Sequence, residues 1–271
     1  MRQTEAFESK RFSLIGDFFI AFCSASLFCC YLKPENFSDY SITFLIGLGS
    51  FLYYRFLHSF SHGNNRYQLS GSWCIGSALW VFGMLRLRDK FDLINPQNLI
   101  AISVLLVYQT PFGKFKLRDI PYLKSILIAA CWCYFLVWWP LQSQRLMTFS
   151  TAILLFENFL FILALTIIYD SYDRKQDETY GLKTLVNYRL SRFSDLIIIG
   201  LILISSLPGL IFGSAVFSLD VKVSFYAQVI TSVLATILWF NRKKLSRKYL
   251  FIWDGFILLK AMIILALYRL I

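Results

Sequence analysis

Charge is scarce in this chain, and negative charge is scarcest: charged residues make up 16% of 271, with 16 Asp and Glu against 27 Lys and Arg. The charges that do occur come in short clusters, which excludes the evenly charged surface of a soluble domain. No C-x-x-C pair occurs, and Cys23, Cys29, Cys30, Cys74, Cys131 and Cys133 all lie inside apolar stretches. Neither a matched disulfide set nor a thiolate metal site follows from such spacing, so these residues are expected to be small packing groups. Histidine occurs only twice, as His58 and His62. A cleavable signal peptide is not visible, because Met1 to Arg11 is polar and the apolar run behind it lacks a small-residue cleavage site. The first apolar run is therefore expected to act as its own insertion signal. No short-period repeat and no low-complexity linker divides the chain, and residues 1–271 are read as one domain.

What is present is apolar and aromatic. Hydrophobic residues make up 57% and mean hydropathy is +0.58, with 27 Phe, 15 Tyr and 7 Trp. That excess suits a chain whose solvent is lipid, with rings facing acyl chains or anchored at the headgroups. The net charge of +11 would suggest nucleic acid in a soluble protein. Here the Lys and Arg fall between apolar runs, where topology and anionic lipid account for them and no nucleic acid is expected.

A helical span needs about 20 mostly apolar residues. The runs are Phe12–Leu32, Tyr40–Phe60, Ser72–Leu85, Gln97–Thr110, Tyr122–Leu141, Leu146–Tyr169, Asp195–Gly213, Val223–Phe240 and Leu250–Leu270, of which the third and fourth are short. They predict an all-α polytopic membrane bundle of about nine transmembrane helices. Most Lys and Arg lie in the N-terminus and the even-numbered connections, which predicts a cytoplasmic N-terminus in a multi-pass protein of the cell membrane. Trp138 and Trp139 are then expected at the outer interface. Within the runs, Glu157 and Asn158 fall in the sixth and Asp254 and Lys260 in the ninth. Ionisable groups there are costly, and Glu157 can pair with Lys260.

The sixth run ends in Tyr169-Asp-Ser-Tyr-Asp-Arg-Lys-Gln-Asp-Glu-Thr-Tyr-Gly-Leu-Lys-Thr184, with Asp170, Asp173 and Asp177 spaced three and four apart. On a helix that spacing puts carboxylates on one face, where they repel unless a cation lies between them. Oxygen ligands suit Mg2+, which takes one or two carboxylates and completes its shell with water and phosphate oxygens. Gly181 is expected to end the helix and Lys183 to place a cation nearby. A solvated acidic loop balanced by Arg174, Lys175 and Lys183 is the alternative reading.

The same segment resembles the second aspartate-rich motif of the UbiA superfamily of intramembrane prenyltransferases, Y-x-x-x-D-R-x-x-D followed by G-x-K-T. Tyr169, Asp173, Arg174, Asp177, Gly181, Lys183 and Thr184 match it. Thr110-Pro-Phe-Gly-Lys-Phe-Lys116 is similar to the family's Y-P-x-x-K segment, with Lys114 in the lysine position and Thr110 in place of the tyrosine. The resemblance implies a nine-helix fold with a cytoplasmic N-terminus. It implies a prenyl diphosphate substrate and ionisation to an allylic carbocation that a small acceptor captures. Asp173 and Asp177 would be magnesium ligands with Asp170 assisting, and Lys114, Lys183 and Arg66 would hold the diphosphate. An apolar, aromatic cavity would keep water from the carbocation.

The family's first aspartate-rich motif should follow the second run, yet no aspartate occurs there. The chain reads Arg55-Phe-Leu-His-Ser-Phe-Ser-His-Gly-Asn-Asn-Arg66, with Arg55, His58 and His62 at the family's aspartate spacing. His58 and His62 share a helix face, but two ligands do not make a closed zinc site. Two readings stay open: Arg55, His58, His62 and Arg66 give positive charge or hydrogen bonds to a phosphate, or they face headgroups in a lineage that dropped the motif. The alternatives to an enzyme are a non-catalytic member that binds an isoprenoid or a phospholipid headgroup, and a small-molecule transporter. A transporter would need paired helix breaks, and Pro208-Gly209 is the one strong break inside a run.

Overall fold

The computed structural model describes residues 2–32, 40–61, 71–91, 95–109, 120, 122–143, 148–179, 183–187, 193–212, 219–242 and 251–270. Nine helices and no strand occur among them. They are α1 (Arg2–Cys30), α2 (Tyr40–Ser61), α3 (Gly71–Phe91), α4 (Pro96–Gln109), α5, α6 (Phe149–Thr179), α7 (Ser194–Phe212), α8 (Leu219–Phe240) and α9 (Phe251–Leu270). The helix α5 runs Leu123–Cys133, passes through a π-helical segment Tyr134–Trp138 and continues as Trp139–Ser143. Each apolar run of the sequence corresponds to one of these helices. Lipid offers no partner for a backbone amide, so an apolar run of this length satisfies its own hydrogen bonds by coiling.

Among the described residues, four helical stretches are long and apolar enough to cross a membrane: Leu123–Gln142, Phe149–Arg174, Val221–Phe240 and Phe251–Tyr268. Shorter apolar stretches are Leu14–Cys30, Cys74–Leu87, Pro96–Leu105 and Ser194–Pro208. The distribution of side chains is that of a protein dissolved in lipid. Phe18, Phe44, Ile75, Leu196 and Phe240 are each more than half exposed, while Glu157 and Lys260 are fully buried. Large apolar groups that face outward in such numbers mark a membrane surface, and the coarse class is a helical membrane protein.

Contacts fix an antiparallel course. Asp17, early in α1, meets Arg55, late in α2, and Lys124 at the start of α5 meets Asp170 late in α6. Asp195 at the start of α7 meets Arg242 just past the end of α8. Tyr31 just past the end of α1 meets Asn158 early in α6. Phe19 and Phe251 stack edge to face, which brings the starts of α1 and α9 together. The bundle therefore has two ends, named here for the start and the finish of α6.

The middle of α6 is the hub. Phe161 through Leu165, Ile167 and Ile168 are all buried, and a helix that is apolar all round belongs inside a bundle. It packs against α5, α7 and α8. Outside that hub, α2 and α3 approach through small residues. A Cβ on Gly49 would stand 2.7 Å from Trp80 Nε1, and that indole N–H donates to the Leu45 carbonyl at 2.9 Å.

Three sequence expectations change here. Pro208 does not break α7, which continues to Phe212. The irregular turn lies in α5, before Pro140, whose missing N–H and bulky ring deny Leu136 its usual partner; the Trp139 N–H reaches back five residues to the Tyr134 carbonyl. Trp139 is buried against Phe28 and Phe135 rather than set among headgroups. The cysteines Cys23, Cys30, Cys131 and Cys133 are buried and unbridged as expected, whereas Cys74 is exposed.

Candidate functional site

Polar and ionisable groups collect at two levels of the bundle. At the finish of α6, the helix leaves its apolar hub and carries Tyr169, Asp170 and Asp173 within a little over one turn. Asp170 is 3% exposed. Lys124 Nζ lies 2.7 Å from its Oδ1, and Ser125 Oγ donates to its Oδ2 at 2.6 Å. Both donors sit on the first turn of α5, so two consecutive residues grip one carboxylate. The Tyr169 hydroxyl donates to Asp254 Oδ2, on the first turn of α9. Asp173 is half-buried, and Arg174 spends its Nε on Glu178 at 2.8 Å, an exposed pair one turn along the helix.

The segment after α6 returns to the start of α5. The Tyr122 N–H donates to the Lys183 carbonyl at 3.2 Å, made possible by a left-handed backbone at Tyr122, φ 68°. A tyrosine pays steric energy there, and such a conformation persists only where its surroundings fix it. The Thr184 N–H is taken by Asn187 Oδ1 at 2.7 Å. Thr184 is 1% exposed, and its buried hydroxyl oxygen has no hydrogen-bond partner among the described residues. The Lys183 side chain is exposed.

Arg55 lies at the same end, but its Nη1 faces Asp17 Oδ2 at 3.5 Å; the arginine side chain is 40% exposed and the aspartate buried. Of the residues expected to form the site, Asp170, Asp173, Lys183 and Arg55 are thus placed at one end of the bundle. His62, Arg66 and Lys114 lie outside the described residues, as do the side chains of His58 and Asp177. Among the described residues no three His, Cys, Asp or Glu side chains group as metal ligands. Asp173 and Asp177 remain suitable in kind for Mg2+, being carboxylates one turn apart. Asp170 fits less well as a ligand, since both of its oxygens already meet α5. Sequence reasoning did not single out Lys124, Ser125 or Asp17. The signal for Asp17 was available, as an acid inside an apolar run.

The second level lies nearer the start of α6. Lys260 Nζ donates to Glu157 Oε1 at 3.0 Å, Asn158 Oδ1 at 2.9 Å and Gln228 Oε1 at 2.6 Å. The Gln228 amide continues to Ser205 and Ser232, each at 3.0 Å. Asn158 Nδ2 donates to the Tyr31 hydroxyl, which pairs with Ser224 at 3.1 Å. Five helices or their ends, α1, α6, α7, α8 and α9, are joined by this buried network, and the expected pairing of Glu157 with Lys260 is observed.

Compared with known proteins, the chain matches no protein-family model, no curated protein and no solved structure.

Proposed function

We propose that the protein is a UbiA-like membrane prenyltransferase, which binds a prenyl diphosphate at the finish of α6 and transfers the prenyl group to a small acceptor. The observation that carries this reading is the emergence of Asp170 and Asp173 from a long buried helix, beside Lys124 and the Lys183–Thr184 segment. An amphiphile with an anionic head and an isoprenoid tail matches that boundary between charge and hydrocarbon. In this reading the chain crosses the membrane about nine times with its N-terminus cytoplasmic, which puts the finish of α6 on the cytoplasmic side.

Asp173 and Asp177 would hold Mg2+, which when bound supplies positive charge to the diphosphate as it departs. Lys183, with Lys114 and Arg66, orients the phosphates. The apolar helices keep water away from the allylic carbon, so that the acceptor rather than water captures it. Arg55, His58 and His62 occupy the place of the missing aspartates and add charge or hydrogen bonds to the second phosphate.

The decisive measurement is affinity for a prenyl thiodiphosphate, by protein in lipid nanodiscs, with and without magnesium. Asp173→Asn and Asp177→Asn should each abolish the magnesium-dependent part of binding while the protein stays folded. Affinity unchanged in both variants would overturn the reading.

A second reading is a non-catalytic protein that holds an isoprenoid or phospholipid headgroup. It is favoured by the neutralised state of the site: Asp170 is engaged by Lys124 and Arg55 by Asp17. Binding without turnover, together with unchanged prenylated lipids in cells that lack the protein, would select it.

A further inference from the structure

We infer that Asp254 supplies the counter-charge for a cation on the ligand, the positive charge that forms on the prenyl group as the diphosphate departs. The inference rests on the diphosphate reading above and adds to it a residue outside the motifs that suggested it.

Four acids are buried among the described residues: Asp17, Glu157, Asp170 and Asp254. Arg55 meets the first at 3.5 Å, Lys260 the second at 3.0 Å and Lys124 the third at 2.7 Å. Asp254 meets no Lys or Arg among the described residues, and its partner is the Tyr169 hydroxyl, which donates to Oδ2. The titratable groups close enough to feel its charge are Tyr169, Tyr54 and Cys23, none of them a cation. A buried carboxylate without a counter-charge is costly, so the bundle matches three of its acids and leaves the fourth to something else. Asp254 lies in the first turn of α9, where helix dipoles favour negative charge, but a partial charge does not replace a cation. Inside a membrane such a residue marks function.

The carboxyl group is also less enclosed than that of Glu157. Glu157 has no exposed surface and its Oε2 is sealed without a partner, whereas Asp254 is 8% exposed and its Oδ1 is not among the sealed, unpartnered atoms. Its level suits a charge that lies beneath the phosphates. Tyr169 precedes Asp173 by four residues on α6, which sets it about 6 Å closer to the apolar hub. In the diphosphate reading Asp173 marks the level of the phosphates, and the allylic carbon comes next below them. Aromatic rings, which also attract cations, gather there: Tyr54 stands edge-on to Trp132 at 6.4 Å and Phe19 to Phe251 at 5.8 Å. A Cβ on Gly255, beside Asp254, would stand 3.8 Å from the Phe19 ring. As the carbon–oxygen bond breaks, its electron pair leaves with the diphosphate and the positive charge spreads over the allylic carbons opposite the carboxylate. The acceptor's electron pair then forms the new bond to carbon, and the proton it sheds leaves with the diphosphate.

The test uses the full-length protein in nanodiscs of zwitterionic lipid, with magnesium and pyrophosphate present. Two probes are compared: N,N-dimethylfarnesylammonium, which carries a positive charge next to the prenyl chain, and farnesol, which is neutral. Wild type should bind the ammonium about ten- to a hundredfold more tightly than the alcohol, the usual effect of one charge-assisted contact. Asp254→Asn should remove that preference and leave affinity for farnesol and for a prenyl thiodiphosphate within about twofold of wild type. Asp254→Glu should keep most of the preference, and so should Tyr169→Phe, which leaves the charge in place. Where Asp254→Asn fails to fold, wild type still decides. Equal binding of ammonium and alcohol by wild type would mean that a proton neutralises Asp254, and would overturn the inference. A preference that survives in Asp254→Asn would overturn it too. If wild type binds the thiodiphosphate but does not distinguish ammonium from alcohol, only this inference falls. If wild type binds no thiodiphosphate, the diphosphate reading falls with it.

Discussion

At the start of α6 a lysine ammonium has three oxygen acceptors and almost no exposure, while at the finish of the same helix another lysine covers a buried aspartate with a fifth of its side chain open. The three protons of Lys260 meet Glu157, Asn158 and Gln228, so its bonding capacity is filled from within the bundle. Such a site has no donor left for a ligand and joins helices instead. Lys124 meets Asp170 at 2.7 Å from the first turn of α5 and keeps a fifth of its side chain exposed. Both regions pair a lysine with a buried acid; what separates them is exposure, 2% for the Lys260 side chain and 20% for that of Lys124.

The largest expected effect tests the enclosed region. Glu157→Gln leaves a buried ammonium without a counter-charge, and removal of one partner from a buried pair costs about 3–5 kcal/mol. Lys260→Met strips the cation from a buried carboxylate and should cost a similar amount. Substituting both should recover a large part of the loss, since two neutral groups of similar volume replace two charges. Unfolding in mixed micelles measures this, and the folded double variant should bind diphosphate like wild type. Loss of binding in a stable double variant would break the comparison, because the enclosed network would then serve the ligand as well.

A smaller effect is expected at Tyr169, which stands at the open end. Its hydroxyl donates to Asp254, and Asp254 is 8% exposed. Tyr169→Phe removes a donor from a buried carboxyl group, which costs about 1–3 kcal/mol. Tyr169→Phe with Asp254→Asn should restore part of that loss. A stability unchanged by Tyr169→Phe would show that Asp254 is satisfied by other means and that the open end is better hydrated than its burial implies.

The sequence made the helices legible because lipid imposes one rule on all of them: a long apolar run must coil. It also made the Glu157–Lys260 pair legible, since two ionisable residues in separate apolar runs have few ways to avoid the cost of isolation. The π segment was not legible. Pro140 signals a disturbed turn, but the choice between a kink and five-residue hydrogen bonds depends on packing. Lys124 was missed for a related reason. It follows Tyr122 at the margin of a run, where cations are common, and only the fold shows that Asp170, 46 positions later, lies against it at 2.7 Å. The spacing of Asp170 from Asp173 suggested a shared metal. Position along a helix carries the spacing of these residues but not the contacts that Asp170 already makes with α5.

The smallest effect belongs to the edge of the enclosed network and shows how far its cooperativity extends. Tyr31 accepts a hydrogen bond from Asn158 at 3.0 Å and pairs with Ser224 at 3.1 Å. Tyr31→Phe keeps the ring and removes both contacts. Asn158 still donates to the Leu154 carbonyl at 2.7 Å, and the Ser224 hydroxyl can rotate toward a carbonyl of its own helix, as serines in membrane helices do. The expected cost is therefore near the average of about 0.6 kcal/mol for polar contacts between membrane helices, and below about 1.7. Combined with Lys260→Met, it gives a double-mutant cycle. A coupling within about 0.5 kcal/mol of zero would place the tyrosine outside the charge pair's unit. A Tyr31→Phe cost equal to that of Lys260→Met would instead mean that the hydroxyl holds the pair in register, and that the whole network, from α1 to α9, gives way as one.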